Sequence, residues 1–65
     1  MTNTQALQNL LTSTRYNIAQ IDADLARLNP TTPDQMYHQG YQNGRRAELD
    51  KLVDLLELSL MAGAQ

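Results

Sequence analysis

The stretch Asn29-Pro30-Thr31-Thr32-Pro33 decides the fold, because two prolines fall within four positions and the residues on either side are nearly free of helix breakers. Pro30 lacks an amide donor and pushes Asn29 out of the α region, so a helix arriving from the N-terminal side stops at about residue 28 or 29. Thr32 then reads as an N-cap and Pro33 as the first helical residue, where a missing N–H costs nothing. Gln35 completes a Thr-x-x-Gln capping box. Asp34 places a negative charge in the first turn, where the helix dipole favours it.

Working outward, residues 3–28 carry their large apolar side chains at Leu7, Leu11, Ile18, Ile21, Leu25 and Leu28. With Thr14 included the spacing alternates 4 and 3, the seam of a heptad, and Leu10 lies at its edge. Downstream of Pro33, residues 33–62 read as a second helix with Leu49, Leu52, Val53, Leu55, Leu56 and Leu60 in a sector of about 160° at 100° per residue. Gly63 follows as a C-terminal cap. Two helices of about 26 to 30 residues joined by a connection at about 29–32 must fold back on each other. The expectation is an all-α fold, one domain spanning residues 1–65 as a two-helix antiparallel hairpin. The turn sets its register, with Leu25 near Tyr37 or His38, Ile21 near Tyr41, Thr14 near Glu48, Leu11 near Leu52 and Leu7 near Leu55 or Leu56.

Composition bounds what such an object does. The chain has 65 residues, 42% hydrophobic, with no cysteine and a net charge of −2. A single chain of this size buries only about 60% of the surface its unfolded form exposes, so it needs a staple or a partner. Disulfides and thiolate metal cages are excluded. A pI near 4.9 disfavours general binding to phosphate backbones, and Arg45-Arg46 is too short for a nucleic-acid patch. No apolar run approaches the roughly 18 residues of a membrane span, and the polar start has neither a charged n-region nor an apolar h-region. A cytoplasmic, non-membrane protein is expected.

Helix 2 carries more apolar surface than one partner helix can cover, which points to a homo-oligomer, a dimer being favoured, in which two hairpins form a four-helix bundle of coiled-coil type. The self-association residues predicted from this are Leu49, Leu52, Val53, Leu56 and Leu60, with Leu7 and Leu11 on helix 1. A monomer whose greasy end docks on a larger protein is the alternative. Toward the turn the same sector changes to Tyr37, His38, Tyr41, Gln42, Arg45 and Glu48. The tyrosines supply rigid contact area with a polar tip and Arg45 a forked donor, so Tyr37, Tyr41 and Arg45 are candidate partner-binding residues. Alternatively the rings cover Ile18, Ile21 and Leu25, with Arg45 paired to Glu48. Gly40 and Gly44 form a Gly-x-x-x-Gly spacing and mark either a close-packing interface or a local notch. Tyr16, opposite the seam, is a contact residue or a lone surface aromatic. Thr14 reads as a polar layer facing Glu48 and Arg45 that disfavours slipped registers.

Catalysis finds little support. His38 is the only histidine, with Asp34 four residues earlier, and no serine, cysteine or lysine stands where it would serve as base to a nucleophile. Asp50, Asp54 and Glu57 form a row on one helix face that diverges rather than converging on a cation. No enzyme activity, cofactor or metal is expected.

In outline a dimeric helical hairpin of this length is similar to the RNA-binding copy-number regulators of small plasmids, but no residue motif of that family is present and RNA binding is not implied. The stretch Tyr37-x-x-Gly40-Tyr41-x-x-Gly44-Arg45-Arg46-x-Glu48-Leu49-x-x-Leu52 resembles short helical products of tailed bacteriophages. It covers about sixteen of the 65 residues. The resemblance implies a viral accessory protein, either a modulator that binds a host protein in the host cytoplasm or a small virion component. A nucleic-acid or small-ligand regulator is a further alternative.

Overall fold

The computed structural model describes residues 2–63. Two helices account for nearly all of them, α1 at Asn3–Arg27 and α2 at Pro33–Gly63, packed against each other as a hairpin of 50 × 16 × 14 Å. Helix α1 opens with a capping box at Thr2 and Gln5. The Thr2 hydroxyl accepts from the Gln5 amide at 3.1 Å, while the Gln5 side chain accepts from the Thr2 amide at 3.0 Å. It ends at Arg27, where Leu28 turns to extended backbone and its N–H reaches the Leu25 carbonyl at 3.2 Å.

At the start of α2 the Thr32 hydroxyl accepts from the Gln35 amide at 3.3 Å, as an N-cap should. The reciprocal half of the box is displaced by one residue, since Gln35 Oε1 accepts from the amide and hydroxyl of Thr31 rather than from the amide of Thr32. Gln35 thereby ties the turn itself to the helix. Gly63 does not form a left-handed cap. It is the last helical residue of α2, and no glycine among the described residues has positive φ.

The inner face of α1 is the heptad seam, with Leu11, Thr14 and Ile21 buried and Leu7, Ile18, Leu25 and Leu28 half-buried. The inner face of α2 follows the positions Gln35, Gln39, Gln42, Arg46, Leu49, Val53, Leu56 and Leu60, again with alternating 4 and 3 spacing, and Gln42 and Leu56 lie deepest. Its direction is set at the leucine-rich end, where burial of Leu49, Val53, Leu56 and Leu60 contributes most. A rigid helix then carries the same face upstream onto glutamines and Arg46.

Of the leucines assigned to self-association, Leu56 and Leu11 are buried within one chain, while Leu7, Leu49, Leu52, Val53 and Leu60 are half covered by the same helix pair. Tyr37 and Tyr41 are not core residues, at 79% and 57% exposure. The core that remains is thin: among the apolar side chains of the described residues only Leu11, Ile21 and Leu56 are buried.

Candidate protein-interaction surface

Each flank of the helix pair has its own chemistry. On one flank Arg15 donates to Glu57, and Arg46 donates to both Asp22 and Asp50. The Arg15–Glu57 and Arg46–Asp22 pairs bridge α1 and α2 at two levels, whereas Arg46–Asp50 lies within α2. The Arg46 guanidinium holds the Asp22 carboxyl below the usual carboxylate range, and Asp22 in turn raises Arg46. Arg15 meets Glu57 although the expected register sets Thr14 near Glu48. In an antiparallel pair, long side chains that lean toward their own N-termini converge from positions further along each helix.

At the other flank Asp24 accepts from Gln42 Nε2 at 2.8 Å and lies 2.7 Å from His38 Nε2. An ionised carboxylate only accepts, so His38 carries the proton on Nε2. Hydrogen bonding from Gln42 first, and from His38 second, pulls the Asp24 carboxyl below its ordinary value. This network satisfies the buried Gln42 side chain and fixes the turn end of the hairpin, and no buried side-chain polar atom among the described residues is left unpaired. His38 is thus oriented by Asp24 of the opposite helix and not by Asp34. Thr14 forms no layer with Glu48 or Arg45, since its hydroxyl donates to the Leu10 carbonyl one turn back at 2.7 Å.

Beyond Asp24 and His38 this second flank becomes apolar. At about 100° per residue, Tyr37, Tyr41, Gly44, Glu48, Leu52 and Leu55 occupy one sector of α2 on the side where His38 meets Asp24, and Leu10 of α1 lies on the same side. Leu55 is 62% exposed, and Leu58 and Met61 continue the apolar surface around the C-terminal end of α2. An open groove of about 560 Å³ runs along it, lined by Gly40, Tyr41, Gly44, Arg45, Glu48 and Leu49. Leu55, Leu58 and Leu10 are the most exposed leucines a partner could cover, and Leu7, Leu49, Leu52 and Leu60 of the predicted set remain partly accessible.

Gly40 and Gly44 form the floor of that groove. A Cβ built at either meets nothing within 4 Å, so neither glycine is needed for contact between α1 and α2. Each nonetheless costs the helix about 1 kcal/mol relative to alanine. Arg45 arches over Tyr41, its guanidinium carbon 5.9 Å from the ring centroid, and donates to Gln42 at 3.1 Å. It does not pair with Glu48, which instead approaches Lys51 at 3.6 Å. Among the described residues Arg15, Arg27 and Arg46 each pair with a carboxylate of this chain, whereas Arg45 does not. Tyr16 lies across α1 from the seam, 63% exposed and apart from this groove.

Asp50 and Glu57 of the acidic row are engaged by Arg46 and Arg15, and no group of three His, Cys, Asp or Glu among the described residues could hold a metal ion. No described helix is long and apolar enough to cross a membrane. The signal that would have separated the faces of α2 was the run Gln35, Gln39, Gln42 and Arg46 in phase with Leu49, Val53, Leu56 and Leu60, which marks the tyrosines as a separate stripe. No family model matches this sequence, and no curated protein or solved structure is significantly similar to it.

Proposed function

We propose that the protein is a non-enzymatic, self-associating helical hairpin that acts by binding another protein, in the manner of the small phage products that residues 37–52 resemble. The observation that carries this reading is the disproportion of its apolar surface. Three apolar side chains are buried, while Leu10, Met36, Tyr37, Tyr41, Leu55, Leu58 and Met61 are exposed among the described residues. Leaving several leucines in water forfeits about 1.5 to 3 kcal/mol each, comparable in total to the whole stability of a domain this small.

Pairing two hairpins through the apolar flank makes a four-helix bundle and leaves the ion-paired flank in water. In such an assembly the outward side chains, Tyr16 among them, remain for a second protein, with regulation of a host protein as the role. The test is sedimentation velocity on the full chain across a concentration series from sub-micromolar to about 100 μM, with far-UV circular dichroism alongside. A dimer that forms reversibly with concentration is expected. A chain that stays monomeric and fully helical throughout refutes self-association.

A further inference from the structure

We infer that the occupant of the Gly40–Gly44 groove is α2 of a second copy, running antiparallel about a two-fold axis on the groove side at the level of residues 46 and 47. The inference rests on the self-association proposed above and specifies the surface, the direction and the register. Inverting the exposed stripe of α2 about that point sets Tyr41 against Leu52 of the second copy, Gly44 against Leu49, and Arg45 against Glu48, and brings Tyr37 within one position of Leu55, each contact occurring twice as an isologous interface requires.

Charge is the first support. Arg45 is the arginine without a carboxylate of its own chain among the described residues, and Glu48, three residues on, is exposed and held only loosely by Lys51. Across a two-fold axis between them, the two charges of each copy meet their opposites. A parallel pairing would instead stack Arg45 on Arg45 and Glu48 on Glu48, so the charges select direction. Shape is the second. The glycine floor is open within 4 Å of either added Cβ, and it lies beside Leu49, so the same stripe offers both a notch and the side chain that fills it.

Area is the third support. The chain exposes 4927 Å², against about 4,200 Å² for an average folded monomer of 7.3 kDa. The surplus of about 700 Å² is close to the roughly 800 Å² that each partner contributes to a standard interface.

The experiment is a charge swap read by sedimentation velocity on the full chain, with circular dichroism to establish that each variant is helical. Arg45→Glu and Glu48→Arg are each expected to weaken dimerisation at least tenfold, and the double variant to recover to within about threefold of the wild type. Direction is read separately by mixing Tyr37→Cys with Leu55→Cys chains and oxidising them, a clean probe because the chain has no native cysteine. A disulfide between position 37 of one chain and position 55 of the other is expected.

Dimers that persist unchanged in both single variants, or that cross-link 37 to 37 and 55 to 55, overturn this pairing while leaving self-association intact. A folded wild-type monomer at every concentration overturns both and assigns the groove to a different protein.

Discussion

Replacing Gly40 and Gly44 by alanine separates what the hairpin needs from what a second copy would need. Both glycines lie inside α2 with helical backbone, neither has positive φ, and a Cβ at either meets nothing within 4 Å. In the monomer the two methyl groups therefore bring only the helix propensity of alanine, about 0.8 to 1.0 kcal/mol per site and about 2 kcal/mol together. Unfolding a 65-residue chain carries an entropy near 0.14 kcal/mol/K at about 2.1 cal/mol/K per residue, so Tm should rise by about 14 °C. In the proposed dimer the same methyls occupy the space that Leu49 of the second copy fills, and association should weaken. The assay is thermal melting by circular dichroism at a concentration where sedimentation shows a monomer, followed by the dimerisation constant at higher concentration. Opposite signs in the two measurements are the expected result. An unchanged or lowered monomer Tm would mean that α2 is not continuous and open at 40–44, and a tighter dimer would remove the glycine notch from the interface.

The remaining expectations concern the helix pair. Leu56→Ala, at a buried position, should cost about 2 to 4 kcal/mol and leave much of the chain unfolded, whereas Leu55→Ala in the monomer should stay within about 0.5 kcal/mol of wild type; urea titration distinguishes them. Thr14→Val should lie within about 1 kcal/mol of neutral by the same measurement, because the hydroxyl it removes bonds only a carbonyl that keeps its helical amide; a larger loss would indicate a polar partner for Thr14. Asp22 and Asp24 are both held below their ordinary values, so the stability they contribute is complete above the unfolded carboxylate pKa of about 3.9 and is lost as the pH falls through the folded values. Tm should therefore drop on acidification below about pH 4, and Asp22→Asn with Asp24→Asn should flatten that drop; an unchanged slope would place the acid sensitivity elsewhere.

The proline break and the seam of α1 were legible in the sequence because both are local. A ring at Pro30 cannot continue a helix wherever it points, and the side chains from Leu7 to Leu28 repeat with one unambiguous period. The Thr2-x-x-Gln5 box is equally local, a matter of residue types three apart. The composition of α2 was also plain, but not its rotation. Its apolar side chains span a sector too wide to define a single inward direction, so Tyr41 and Gln42, adjacent in sequence, were both admissible core positions.

By itself, then, the sequence determined two helices, where they break, and which side of the first faces inward, since each follows from backbone sterics or from a narrow apolar stripe. Only the packing of α2 on α1 decided that Gln42 goes in and Tyr41 out, that Asp24 rather than Asp34 meets His38, and that Arg46 is ion-paired while Arg45 is not. The physical reason is rigidity. A helix turns as one body, so the end with the most apolar area to bury sets the orientation of every side chain along its length, including those that burial alone would have arranged otherwise.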